Sequence, residues 1–119
     1  MDKKIKESVA TLFCHAIKLD DKDLKLEKPL FCRFMGQDFD CNSKDAELFF
    51  NDMIEQDCSD IDAHISIVSN ALSNEPYWKM NILKQLNHII FKSRIKDEDY
   101  EFFDKVKTSF FNSRVKSQD

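Results

Sequence analysis

The chain has 119 residues, one domain's worth, with one Gly, two Pro and eleven Phe. So little Gly cannot supply the positive-φ turns of a β fold, so most of the length must be helical. A net charge of −4 argues against nucleic acid as the main partner, because phosphate contacts need a dense basic surface.

The first predicted helix runs over residues 2–18. Its apolar residues are Ile5, Val9, Leu12, Phe13, Ala16 and Ile17. Steps of three, four and one make a single buried stripe. A charged break follows at residues 19–25. The second helix starts near Glu27, which puts Pro29 in the first turn, where no hydrogen bond is lost. Leu30, Phe31, Phe34 and Met35 form its inner face, and Gly36 is placed to end it as a left-handed stop.

Asn42 or Ser43 caps a third helix that continues to about Gln56. Ala46, Phe49, Phe50 and Met53 point inward, while Asp45, Glu47, Asp52 and Glu55 point out. Ser59 caps the fourth helix, with Asp62 as its capping-box partner and Ile61, Ile65, Val68 and Leu72 as its stripe. The fifth starts at Ser73 or Asn74, with Pro76 in its first turn. Leu83, Leu86, Ile89 and Ile90 are its firmest core positions, joined by Trp78. The sixth begins at Asp97 and carries Tyr100, Phe103, Val106 and Phe110 inward. The expectation is one all-α helical domain over residues 1–112, a compact bundle of six or seven helices. A flexible polar tail over residues 113–119 follows it.

Four cysteines, Cys14, Cys32, Cys41 and Cys58, lack C-x-x-C spacing, which argues against a zinc knuckle. They read as reduced thiols, so the expected location is cytoplasmic. No apolar run is long enough to span a membrane, and residues 1–4 lead into an amphipathic helix rather than a signal-peptide core.

Charge is distributed unevenly. Residues 38–62 hold nine acids and one base, and residues 105–118 hold four bases and no acid. The acidic middle, with Asp52 and Glu55 outward, is suited to a basic protein partner or to cations. The aromatics Tyr77 and Trp78, just after Pro76, either close the end of the core or anchor a partner. Phe110 and Phe111 cannot both face one core, so Phe111 is a further candidate partner contact.

Asp20, Asp21, Asp23 and Glu27 are the best candidate metal ligands, since hard divalent cations take clustered carboxylate oxygens. Lys22 and Lys25 would compete for them, so the cation would be weakly held and not required. Capping the next helix is the alternative use of the same acids. Residues 38–42 imitate the opening of an EF-hand loop, but Ser43 replaces its Gly and Phe49 its bidentate Glu. His15 and His88 occupy comparable places in two helices and would meet if the molecule were pseudo-symmetric. No Gly-x-Ser-x-Gly elbow or Gly-rich phosphate loop exists, and Cys14 beside His15 is not a dyad, so no enzyme is expected.

The chain also echoes itself. His15-Ala16-Ile17 leads through the acidic break to Leu24, Glu27 and Phe31, and His88-Ile89-Ile90 leads through residues 92–94 to Ile95, Glu98 and Phe102. At these two turns the sequence resembles the TerB-like family, named for tellurite resistance and related to the N-terminal region of DnaJ-type co-chaperones. The family repeats Ala-x-x-Asp-Gly-x-Ile-x-x-x-Glu in two pseudo-symmetric halves. Asp21-Lys22-Asp23-Leu24 with Glu27 matches the first copy, and residues 92–95 with Glu98 and Asp99 match the second loosely. Lys22 stands where the family has Gly, and Lys92-Ser93 replaces its Asp-Gly. The resemblance implies an all-helical fold, no catalytic activity, and a stress-response protein-interaction module that sits near the inner membrane face through a partner.

Overall fold

In the computed structural model the described residues are 3–19, 24–55, 60–91 and 96–111. They form six helices and no strand: α1 (Lys3–Leu19), α2 (Leu24–Asp38), α3 (Ser43–Glu55), α4 (Ile61–Ala71), α5 (Pro76–Ile90) and α6 (Asp97–Phe111). The all-α bundle expected from the apolar spacing is what the chain adopts. The polar tail and the two turns carrying the internal echo, residues 20–23 and 92–95, lie outside the described residues.

The organising element is α1, which packs against all five other helices. Every residue from Ser8 to Cys14 is buried, as are Ala16 and Ile17. Seven consecutive buried residues cover nearly two helical turns, so α1 presents no outward face there. This differs from a one-sided stripe, and the reason is side-chain size. Ser8, Ala10, Thr11 and Cys14 are small, so neighbouring helices close over the side that apolar periodicity alone leaves open. The polar ones find partners. The Thr11 hydroxyl donates to the Glu7 carbonyl at 2.8 Å, and Ser8 Oγ lies 3.1 Å from His64 Nδ1 on α4.

Aromatic rings hold α2, α3 and α5 to this rod. Phe50 on α3 meets Phe31 at 5.3 Å, Phe31 meets Phe13 at 6.4 Å, and Phe13 meets Phe34 at 4.7 Å, nearly perpendicular. Phe34 continues to Phe39 at 5.5 Å and Phe39 to Trp78 at 5.4 Å. Edge-on and tilted pairs of this kind each add about 0.5–1.5 kcal/mol beyond their buried area.

Local signals set some of the helix ends. Asn42 caps α3: its side-chain oxygen accepts the Asp45 amide at 2.8 Å, and its amide nitrogen donates back to the Asp45 carboxylate at 3.1 Å. Pro76 lies in the first turn of α5 as expected, but the helix begins at Pro76 itself rather than at Ser73 or Asn74, with Glu75 at the N-cap making no side-chain cap bond. Likewise α4 starts at Ile61 with Asp60 at the N-cap position. Ser59, the expected cap, lies outside the described residues, and Asp62 pairs with Lys105 on α6 at 3.0 Å.

Three expectations are corrected. The second helix begins at Leu24, so Pro29 is its sixth residue rather than part of its first turn. The same helix runs through Gly36 to Asp38, and the left-handed residue after it is Asp40, with φ 50°. Gly36 serves close approach instead: a Cβ there would sit 3.3 Å from the Cys41 carbonyl oxygen, where the chain folds back over the helix end. The Met35 carbonyl accepts both the Phe39 and Cys41 amides in that fold, at 3.1 Å each. Finally, α6 keeps Val106 and Phe110 inward as expected, but in its first turns Asp99 and Phe102 take the buried places expected of Tyr100 and Phe103, and Phe103 is half-buried. Tyr100 is 53% exposed. Asp99 takes the inward position because its carboxylate accepts the Lys96 amide at 2.9 Å, capping the helix from within.

Candidate functional site

With α1 enclosed, the surface available for function lies on the outer helices, and α5 offers the most varied part of it. Trp78, Lys79, Ile82, Leu83, Leu86, Ile89 and Ile90 turn inward. The opposite side exposes Tyr77 (68%) and Met80 (57%), followed by Lys84, Asn87 and His88. Positions 77, 80, 84 and 87 are three and four residues apart, so they make one ridge along the helix.

A concavity lies on each side of that ridge. Between α5 and α6 runs a groove of about 340 Å³, lined by Met80, Leu83, Phe103 and Phe111, with Lys84 and Lys107 at its edges. Between α2 and α5 is a cleft of about 420 Å³. Neither set of lining residues includes a carboxylate.

The expected partner contacts separate on this frame. Tyr77 is exposed on the ridge, its ring 5.6 Å from Trp78. Trp78 is half-buried against Phe39 and closes the core. Phe110 is buried, and Phe111 is half-buried in the wall of the α5–α6 groove. Asp52 and Glu55 are exposed on α3, which packs against α1 and α2.

Of the expected metal ligands, Asp20, Asp21 and Asp23 lie outside the described residues. Glu27 is only 3% exposed, within the first turn of α2. Among the described residues there is no group of three or more His, Cys, Asp or Glu that could hold a metal ion. The EF-hand-like residues are occupied otherwise: Phe39 and Cys41 are buried, and Asn42 caps α3. His15 packs on Phe102, with ring centroids 4.6 Å apart. His88 instead lines the α2–α5 cleft. Burial, with the charges of Lys18 and then Lys105, holds His15 below its ordinary value of 6.5.

Two of the described thiols, Cys32 and Cys41, are poor nucleophiles. Burial first, then Glu47, pushes the Cys32 thiol up, and burial followed by Asp45 does the same at Cys41. A raised thiol keeps its proton near neutrality, and the thiolate is the reactive form.

Sequence reasoning missed Lys79, which is 4% exposed. Its ammonium donates to the Phe110 carbonyl at 2.6 Å and lies 5.9 and 5.7 Å from the Phe110 and Phe111 ring centres. Ser69 on α4 donates to the neighbouring Ser109 carbonyl at 2.6 Å. Together they satisfy carbonyls that the end of α6 leaves without an intrahelical donor, and a cation is favoured at that end of the helix dipole. The available signal was Lys79's place three and four residues before Ile82 and Leu83, on the buried stripe.

No helix among the described residues is long and apolar enough to cross a membrane. Comparison with known proteins gives no match: no family model, no curated protein and no solved structure matches the chain. The likeness to the TerB-like family therefore rests on the two turn motifs alone.

Proposed function

We propose that the chain is a non-enzymatic protein-interaction module whose partner presents an acidic amphipathic helix to the α5–α6 groove. The observation that carries this reading is the pairing of an apolar trough with unopposed cations. Met80, Leu83 and Asn87 on one wall, and Phe103, Lys107 and Phe111 on the other, recur at helical spacing. A partner helix lays anchors three and four residues apart into such a trough. Lys84 and Lys107 pair with no carboxylate among the described residues, so acids beside the anchors would be matched electrostatically. Tyr77 and Met80 extend the contact along the ridge, and aromatic and Met side chains are favoured at such interfaces.

Selection from a displayed library of helical peptides tests it. The expected winners carry apolar residues at positions i and i+4 or i+7, flanked by Asp or Glu. Met80→Glu and Lys107→Glu should each weaken their binding at least tenfold, while Asp52→Lys and Glu55→Lys leave it unchanged. Winners that are basic, or that bind Met80→Glu as well as the parent, would overturn the reading and move the interface to α3.

A further inference from the structure

The α2–α5 cleft differs chemically from the groove on the other side of α5. Its floor is hydrocarbon and aromatic: Phe13 from α1, Phe31 and Phe34 from α2, and Ile89 from α5, with Leu30 half-buried along the wall. Three cationic or protonatable side chains stand around it, Arg33, Lys84 and His88, and the other polar lining groups are the neutral amides of Gln37, Gln85 and Asn87. None of the lining residues is an acid, in a chain whose net charge is −4. Among the described residues, Arg33 and Lys84 form no ion pair.

A volume of about 420 Å³ falls in the range of small-molecule sites, which combine apolar walls with a few polar groups that fix orientation. An apolar floor alone would suit any hydrophobic guest. The cations without counter-charges set the sign of the guest's polar end, because a cationic head would be repelled and an uncharged one would leave them unmatched. The α2 wall from Leu30 to Gln37 spans seven residue steps, or about 10 Å. That length suits a short hydrocarbon tail and not a long one.

We infer that the cleft between α2 and α5 binds a small amphiphilic carboxylate, an acyl anion of medium chain length. Its tail lies on Phe13, Phe31, Phe34 and Ile89, and its carboxylate faces Arg33 and Lys84. The guanidinium of Arg33 can take both carboxylate oxygens at once. This site overlaps the peptide groove only at Lys84 and Asn87, and Arg33 belongs to it alone.

Calorimetric titration with hexanoate, octanoate and decanoate below their micellar concentrations tests it, with octanol and octyltrimethylammonium as head-group controls. One-to-one saturable binding is expected. Affinity should rise by about fourfold per added methylene until the tail outruns the cleft. Both controls should bind at least tenfold more weakly. Arg33→Glu, on an exposed position that should leave the helical circular dichroism intact, should cost octanoate at least tenfold, and Lys107→Glu should cost nothing. In nuclear magnetic resonance spectra the side-chain amides of Gln37, Gln85 and Asn87 should shift with octanoate. Absence of saturable heat with every acyl anion, equal binding of octyltrimethylammonium, or octanoate binding that survives Arg33→Glu would each overturn the inference.

Discussion

The helices α1 and α5 are close in length and both rich in apolar residues, yet they do opposite work. Around its middle α1 is enclosed, whereas α5 buries one side and leaves Tyr77, Met80, Lys84, Asn87 and His88 outside, between two concavities. The difference teaches where a small bundle can keep function. A helix packed against every other one keeps little surface for a ligand, and from Ser8 to Cys14 each of its side chains is buried, with Phe13 reaching the floor of the α2–α5 cleft. A helix at the edge keeps half its circumference for recognition.

If that division is real, substitutions in α1 should be paid in stability, and substitutions on the outer side of α5 should not. The largest effect is expected at Leu12, which is fully buried. Leu12→Ala leaves a cavity beside the enclosed middle of α1 and should cost about 2–5 kcal/mol, read as a lower urea midpoint. Ala10→Leu attacks the same place from the other direction. It inserts volume where the close packing of α1 depends on a small side chain, and should cost about 1–3 kcal/mol. If α1 tolerated both, it would be an ordinary amphipathic helix, and the contrast with α5 would vanish.

Lys79 probes the inward side of α5. Lys79→Met keeps the length of the side chain but removes the ammonium that caps the Phe110 carbonyl. A hydrogen bond from a charged donor contributes about 1.5–3 kcal/mol, so a loss of that size is expected. Amide exchange should locate it: protection should fall first in the last turn of α6, where Ser69 still holds Ser109.

How much of this was visible in the sequence follows the same division. Apolar periodicity placed the six helices and found most of the apolar core positions on α3, α4 and α5, missing Ile82 and the polar Ser69 and Lys79 among the buried residues there. It failed where polar or small residues occupy interior positions. Asp99 is fully buried and Tyr100 is out, because a capping carboxylate outranked an aromatic ring for the inward place on α6. Ser8 and Thr11 fall outside the apolar stripe of α1 and are core, since their hydroxyls have partners within reach. The recognition features of α5 were half visible. Tyr77 and Phe111 stood out as surplus aromatics, but both concavities depend on which helices come to lie beside α5, and no local pattern encodes that. Met80, Arg33 and Lys84 acquire meaning only from those neighbours.

His15 sharpens the comparison with a smaller effect. It lies on the rim of the buried part of α1, packed on Phe102. Its pKa is lowered in the folded state, chiefly by burial, so between that value and 6.5 the unfolded chain binds a proton that the native one refuses. The associated stability is complete above pH 6.5 and is lost as pH falls through the folded value. His15→Phe keeps a ring against Phe102 and removes the titration. Urea midpoints at pH 7.5 and 5.5 should therefore differ less for His15→Phe than for the parent. An equal or larger drop in the variant would place the acid sensitivity elsewhere.

The smallest stability change is expected from Met80→Glu. Met80 is 57% exposed on the ridge of α5, so its substitution should move the unfolding free energy by no more than about 0.5 kcal/mol. The same substitution places a carboxylate in the groove that Lys84, Lys107, Phe103 and Phe111 also line, where the proposed partner's acid would otherwise sit. Near-zero loss of stability together with a large loss of peptide binding is the signature of a residue kept for recognition. A loss of several kcal/mol would mean that Met80 belongs to the core after all, and that α5, like α1, has little free surface.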